Sequence, residues 1–96
     1  MRPYLALQKY RTQIRHIVLS HRAMQVRVFG SVLRKEDTET SDLDLLVEPT
    51  DEMTLFDIGA IRLELQTLLG ISIDVVTPQA LPASFRQQIL NEAEIV

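Results

Sequence analysis

Gly30-Ser31, then ten residues, then Asp42-Leu43-Asp44 is the spacing that most limits what this chain can become. Each half adjoins a short run of strand formers. Residues 25–29 (Gln-Val-Arg-Val-Phe) alternate and are rich in β-branched and aromatic types, so they predict a strand. Residues 42–47 (Asp-Leu-Asp-Leu-Leu-Val) predict a second, stopped by Pro49. Residues 32–40 (VLRKEDTET) turn polar after a short start and fit one helical turn and a loop. Side chains i and i+2 of a strand point to the same face. Asp42 and Asp44 are therefore expected to project together, with Leu43 and Leu45 turned the other way. Adjacent carboxylates repel each other. A divalent cation removes that cost, and hard oxygen ligands suit Mg²⁺ or Mn²⁺.

The Gly-Ser pair follows a strand and opens a helical turn. Backbone N–H groups at such a start carry partial positive charge and suit a phosphate. Glycine lets a phosphate approach the backbone closely, and the Ser31 hydroxyl can donate one more hydrogen bond. Arg34 and Lys35 come about one turn later, where a guanidinium can grip phosphate oxygens. A phosphate grip and a metal grip would then sit on neighbouring strands.

The remaining periodicities supply the scaffold. Residues 3–22 read as a helix, with Leu7, Tyr10, Ile14, Ile17 and Val18 at helical spacing and Pro3 in the first turn. Residues 54–69 read as a second helix with Leu55, Ile58, Ile61, Leu65, Leu68 and Leu69 on one face and Gly70 as its stop. Phe29 and Phe56 are expected in the core, and Tyr10 on the apolar face of its helix. Residues 71–76 predict a third strand, broken by Thr77-Pro78, and 82–92 a last short helix with Phe85, Ile89 and Ala93 on one side. Asp74 is the only charge in that third strand and points opposite to Ile73 and Val75. It could be a third metal ligand or the general base for an attacking hydroxyl. The order α-β-β-α-β-α predicts a two-layer α/β (α+β) fold, a small mixed sheet of about three strands packed on helices. At 96 residues the whole chain, 1–96, reads as a single domain.

Composition narrows the function. The chain has no cysteine, which excludes a thiolate metal site and a disulfide framework. Its net charge of −3 argues against direct nucleic-acid binding. No apolar run reaches the ~18 residues that span a membrane, and the N-terminus carries no signal-peptide stretch. A cytoplasmic location is the resulting expectation.

These residues bring a family into view. Phe29-Gly30-Ser31, ten residues, Asp42-Leu43-Asp44-Leu45-Leu46-Val47 resembles the signature of the DNA polymerase β-type nucleotidyltransferases. Nearly the whole chain is similar to the minimal (MNT) members, which include the MntA-like antitoxins of HEPN/MNT toxin-antitoxin systems. The resemblance implies a nucleotidyltransferase fold. It also implies a nucleotide site at Gly30, Ser31 and Arg34, and Mg²⁺ ligation by Asp42, Asp44 and Asp74, with two ions held. The same three aspartates would be catalytic. The activity implied is transfer of AMP from ATP to a tyrosine of a HEPN-domain toxin, with which the chain would form a hetero-oligomer.

Other readings of the same residues stay open at this level. Gly30-Ser31 taken alone fits an ordinary turn with a serine N-cap. Asp42 and Asp44 fit a solvated edge strand, and Asp74 fits a solvent-facing position. Arg34 and Lys35 fit a solvated loop. Glu36, Asp37 and Glu39 read as loop solvation, with Asp37 or Glu39 able to steer a partner's basic patch. His16 and His21 are five apart and so are not a same-face ligand pair. At the level of function, the alternatives are a non-catalytic antitoxin that neutralises by binding, or a nucleotidyltransferase with another acceptor.

Overall fold

A leading proline with no N–H to waste suits the first turn of a helix, and the first helix, α1 (Pro3–Leu19), starts there in the computed structural model, which describes residues 1–96. Its inner face buries Ala6, Leu7, Ile14 and Val18, and Tyr10 and Ile17 pack on the margin. The helix ends three residues short of the expected boundary. The Ser20 hydroxyl donates to the Ile17 carbonyl at 2.7 Å, and Arg22 adopts φ 61, which turns the chain into the sheet.

The sheet has four strands, in the order β3-β2-β1-β4. β1 (Ala23–Phe29) and β2 (Leu43–Pro49) run antiparallel, with Val28 opposite Leu45 and Phe29 opposite Asp44. β3 (Ile73–Val76) is parallel to β2, so the link between them must cross over. That link is helix α2 (Leu55–Leu69). At its start the Thr54 N–H donates to the Asp57 carboxylate at 2.9 Å, and Gly70 at φ 67 closes its end. A 3-10 turn (Pro78–Ala80), helix α3 (Ala83–Glu92) and strand β4 (Glu94–Ile95) complete the chain.

Strand alternation divides the sheet into two faces. Val26, Val28, Leu43, Leu45, Val47, Ile73 and Val75 join α1 and α2 in the main core. Each fully buried Leu or Ile contributes roughly 1.5–3 kcal/mol by burial alone. The other face carries Arg27, Phe29, Asp44, Leu46 and Asp74. It is not bare: Leu46 and Leu81 are buried there, outside the main core, where the 3-10 turn lies against β2.

Several expectations are corrected. The sheet has a fourth strand, β4, which at two residues is too short to show alternation. Phe29 is half-buried on the other face of the sheet and outside the main core, Phe56 is 90% exposed, and Leu55 is 88% exposed. α2 is apolar nearly all round. Its inner face is set by Ile61, Leu65 and Leu69, which leaves Leu55 and Phe56 at the margin and outside. α3 buries no residue fully, and Phe85 is exposed. No helix is long and apolar enough to cross a membrane.

Candidate functional site

The end of β1 meets the starts of β2 and β3, and the motif residues gather there. Phe29 pairs with Asp44, and Asp44 pairs with Asp74 across the parallel ladder. The two carboxylates thus rise from neighbouring strands on the same face, where strands lie ~4.8 Å apart. Asp42 sits one residue before β2 begins, in the approach to the strand, and is exposed. Asp74 is also exposed, whereas Asp44 is half-buried.

Gly30 covers Asp44. It adopts φ 79, and a Cβ there would fall on Asp44 Oδ2 and stand 3.2 Å from its Cγ. Glycine is favoured by the left-handed conformation, and any Cβ there would force the Asp44 carboxylate to shift. Its turn is closed by Arg34 N–H to the Gly30 carbonyl (3.4 Å), Lys35 N–H to that of Val32 (3.1 Å) and Glu36 N–H to that of Ser31 (2.9 Å). The N–H groups of Ser31, Val32 and Leu33 donate to no backbone carbonyl. The expected helical turn is a non-helical turn here, and these are its free N–H groups, which can meet an anion.

Electrostatics mark Asp44 as the strained member. Its pKa is pushed up to about 6, first by burial, then by the charges of Asp74 and Asp42, with Arg34 pulling the other way. Arg34 therefore acts on the site, although it also hydrogen-bonds Glu36 at 3.3 Å. Lys35 does not. It adopts φ 58 and holds its ammonium 5.6 Å from the centre of the Tyr4 ring, over α1. His16 is exposed, and His21 pairs with Glu64 far from the motif.

The residues fit a divalent cation in chemistry, though not as a finished cage. Three hard carboxylates repel one another around a half-buried member with one arginine to offset them. They do not close into a three-ligand metal group by themselves. Mg²⁺ characteristically completes its shell with water and substrate phosphate. None of the four surface depressions includes Gly30, Ser31, Asp42, Asp44 or Asp74; the carboxylates stand on an open face.

Asp37 is the residue that sequence reasoning missed. It is not solvated in the loop: its side chain is fully buried. It accepts from Arg2 at 3.0 Å and from the Tyr4 N–H at 2.9 Å. Burial alone would raise its pKa. The bond from Arg2, the bond from the Tyr4 N–H and the charge of Arg2 outweigh it and hold the carboxyl below its ordinary range. Asp37 thereby caps α1, whose own N-cap, Arg2, offers no acceptor. That missing cap was the one signal in the sequence: a helix without an acceptor of its own must borrow one.

A sheet that pairs two aspartates on neighbouring strands, one of them under a glycine turn and two residues from a third aspartate, is the arrangement of a nucleotidyltransferase. The family model for polymerase beta nucleotidyltransferases matches residues 12–96, and the chain belongs to that family, among its minimal members. It is 36% identical over 87 residues to a candidate protein adenylyltransferase of Methanocaldococcus jannaschii, covering 91% of this chain and 94% of that one. It is 32% identical over 72 residues to the protein adenylyltransferase MntA of Thermococcus cleftensis, covering 75% of this chain and 73% of that one. A solved structure described as a candidate minimal nucleotidyltransferase superposes with a TM-score of 0.87 at 40% identity, covering 97% of this chain and 95% of that one. A toxin-antitoxin crystal structure with AMP-PNP shares the fold, with a TM-score of 0.74 at 17% identity, covering 88% of this chain and 69% of that one.

Proposed function

We propose that this chain is an antitoxin that transfers AMP from ATP to a tyrosine hydroxyl of a HEPN-domain toxin and so neutralises it. The observation that carries the reading is the pairing of Asp44 with Asp74 on parallel strands, with the Gly30 backbone against Asp44. Relatives named as protein adenylyltransferases support it, as does the fold likeness to toxin-antitoxin structures.

In this reading the free N–H groups of the Gly30-Ser31 turn bind triphosphate oxygens, and Arg34 pairs with them. Asp42, Asp44 and Asp74 would hold Mg²⁺, which supplies charge screening for the phosphates and for the carboxylates themselves. The acceptor hydroxyl oxygen forms a bond to the α-phosphorus. The bond from that phosphorus to pyrophosphate breaks, and its electron pair leaves with the pyrophosphate. Asp74, exposed beside Asp44, takes the hydroxyl proton as general base in this reading. The open face leaves room for a protein acceptor, and the partner would form the missing wall.

Incubation of the chain with ATP, Mg²⁺ and the toxin, followed by mass spectrometry of the toxin, tests this. A tyrosine carrying AMP is the expected product, abolished by chelation of Mg²⁺. An unmodified toxin in the complete mixture would sink the reading.

A second reading, neutralisation by binding alone, is favoured by the outer side of α2. Leu55, Phe56 and Leu63 are 88%, 90% and 65% exposed, and a helix apolar on both sides is one that normally becomes covered. Substituting Asp42→Asn together with Asp44→Asn separates the two. Neutralisation that survives the double change supports binding; its loss supports transfer.

A further inference from the structure

We propose that Asp37 is a positioning residue of the site: its clamp on the first turn of α1 sets the placement of the Gly30-Ser31 turn relative to Asp42. The proposal rests on the nucleotide-binding reading above and adds a residue to it.

The 31–42 segment is built as two small rigid pieces joined at Asp37. The first is the turn closed by the three hydrogen bonds onto the Gly30, Ser31 and Val32 carbonyls. The second is a turn in which the Thr38 N–H donates to Ser41 Oγ at 2.8 Å and the Ser41 N–H donates to the Thr38 carbonyl at 3.1 Å. It delivers Asp42. No hydrogen bond runs between the two pieces, so each is stiff while their relative placement is not set from within. The first piece is seated on the core by Val32 and the second is tied to the Met1 amino group by Glu39 at 3.2 Å; the junction between them is fixed at Asp37. Asp37 is the one buried polar residue of the chain, and both its oxygens are engaged by α1: Oδ1 by Arg2 and Oδ2 by the Tyr4 N–H. Lys35, two residues earlier, adds a second tie by lying over the Tyr4 ring. α1 is in turn anchored in the core through Leu7, Ile14 and Val18. The segment is thus referenced to the rigid part of the fold at its midpoint, between the phosphate donors and the first carboxylate. A loose junction leaves both halves formed but misplaced, and a misplacement near 1 Å can cost on the order of 10²-fold in rate.

A cap that only stabilised α1 would lower the melting temperature and leave the folded protein's ligand affinity intact. The test therefore compares Asp37→Ala, Asp37→Asn and a core control, Ile61→Val, at a temperature where all are folded. The readouts are calorimetric binding of a non-hydrolysable ATP analogue with Mg²⁺, and amide hydrogen exchange. Asp37→Ala is expected to weaken binding about tenfold or more, and to speed exchange selectively over residues 31–42. Asp37→Asn keeps an acceptor for the Tyr4 N–H but loses the charged bond from Arg2, so its affinity should fall between those of the parent chain and Asp37→Ala. The control should bind as the parent chain does. An Asp37→Ala chain that binds like the control, with 31–42 still protected, overturns the proposal. If the parent chain itself binds no analogue, the functional reading fails. Exchange alone then decides the clamp: selective loosening of 31–42 supports it, and uniform loosening overturns it. Should Asp37→Ala not fold, Arg2→Ala, which removes one tie of two, takes its place. The readouts are unchanged, and the same results support or overturn the clamp.

Discussion

Asp37 lies in the connection between β1 and β2 and Asp44 at the start of β2, and both are drawn out of water, yet their surroundings treat them in opposite ways. Asp37 is met by a guanidinium and a helix N–H, and its carboxyl is held below the ordinary range. Asp44 is met by Asp74 and Asp42, and its carboxyl is pushed up to about 6. Burial acts on both with the same sign. The difference lies in whether the fold brings donors or more acid. Where it brings donors, the group is completed within the chain and holds the structure together. Where it brings acid, the group is left incomplete, and such clusters mark sites that a cation or substrate completes.

The contrast is broken most forcefully at Asp44. Asp44→Asn should cut AMP transfer by at least ~10²-fold, measured by the mass gain of the partner. The same change should leave the metal-free protein no less stable, and raise it by about 1 kcal/mol once solvent screening is allowed for, read from urea unfolding at pH 7. A fall in stability would mean that Asp44 is a structural residue like Asp37. Gly30→Ala comes next, because the added methyl meets Asp44 and the φ of 79 is strained for any side chain. Backbone strain of this kind costs about 1–3 kcal/mol, and nucleotide binding should fall with it. Asp37→Ala should cost about 1–3 kcal/mol of stability, as expected for a lost cap and a charged hydrogen bond.

The pH dependence sharpens the same contrast, since the two groups have opposite signs. Asp37 is depressed, so its contribution is present above the ordinary carboxylate pKa and is lost as pH falls below it. Asp44 is raised, so its cost is present above about pH 6 and is relieved as pH falls from there toward the ordinary value near 4. Metal-free stability should therefore rise on acidification from pH 7 to about 5 and then decline. Asp44→Asn should remove the rise, and Asp37→Asn should reduce the decline. The smallest expected effect is at Phe56. At 90% exposed, Phe56→Ser should change the stability of the isolated chain by less than about 0.5 kcal/mol, while partner affinity measured by calorimetry drops if α2 is covered in the complex.

Much of the site was legible in the sequence because its signals are local. Gly30-Ser31 at the end of a strand former, and Asp44 and Asp74 out of phase with their apolar neighbours, can be read from alternation alone. At Asp42 the strand boundary differs by one residue from expectation, while its charge still bears on Asp44. Asp42 was expected inside the strand, but pairing begins only at Leu43, so it reaches the site from the approach and not from the pleat. Phe56 departs from expectation for another reason. Apolar residues surround α2, and periodicity cannot say which side of such a helix faces the sheet.

The chain's own pattern therefore determined the elements, the face on which each acidic residue stands, and the glycine turn that ends β1. Tertiary structure alone decided that Asp44 lies opposite Asp74, that Gly30 closes over it, that Asp37 is buried as a borrowed cap, and that two residues at 94–95 extend the sheet. Alternation encodes direction along one strand, whereas register and burial depend on which distant segment arrives beside it. The Gly-Ser to aspartate spacing names the candidate residues; the parallel β2-β3 ladder sets Asp44 beside Asp74, and Asp37 ties the intervening loop to the start of α1.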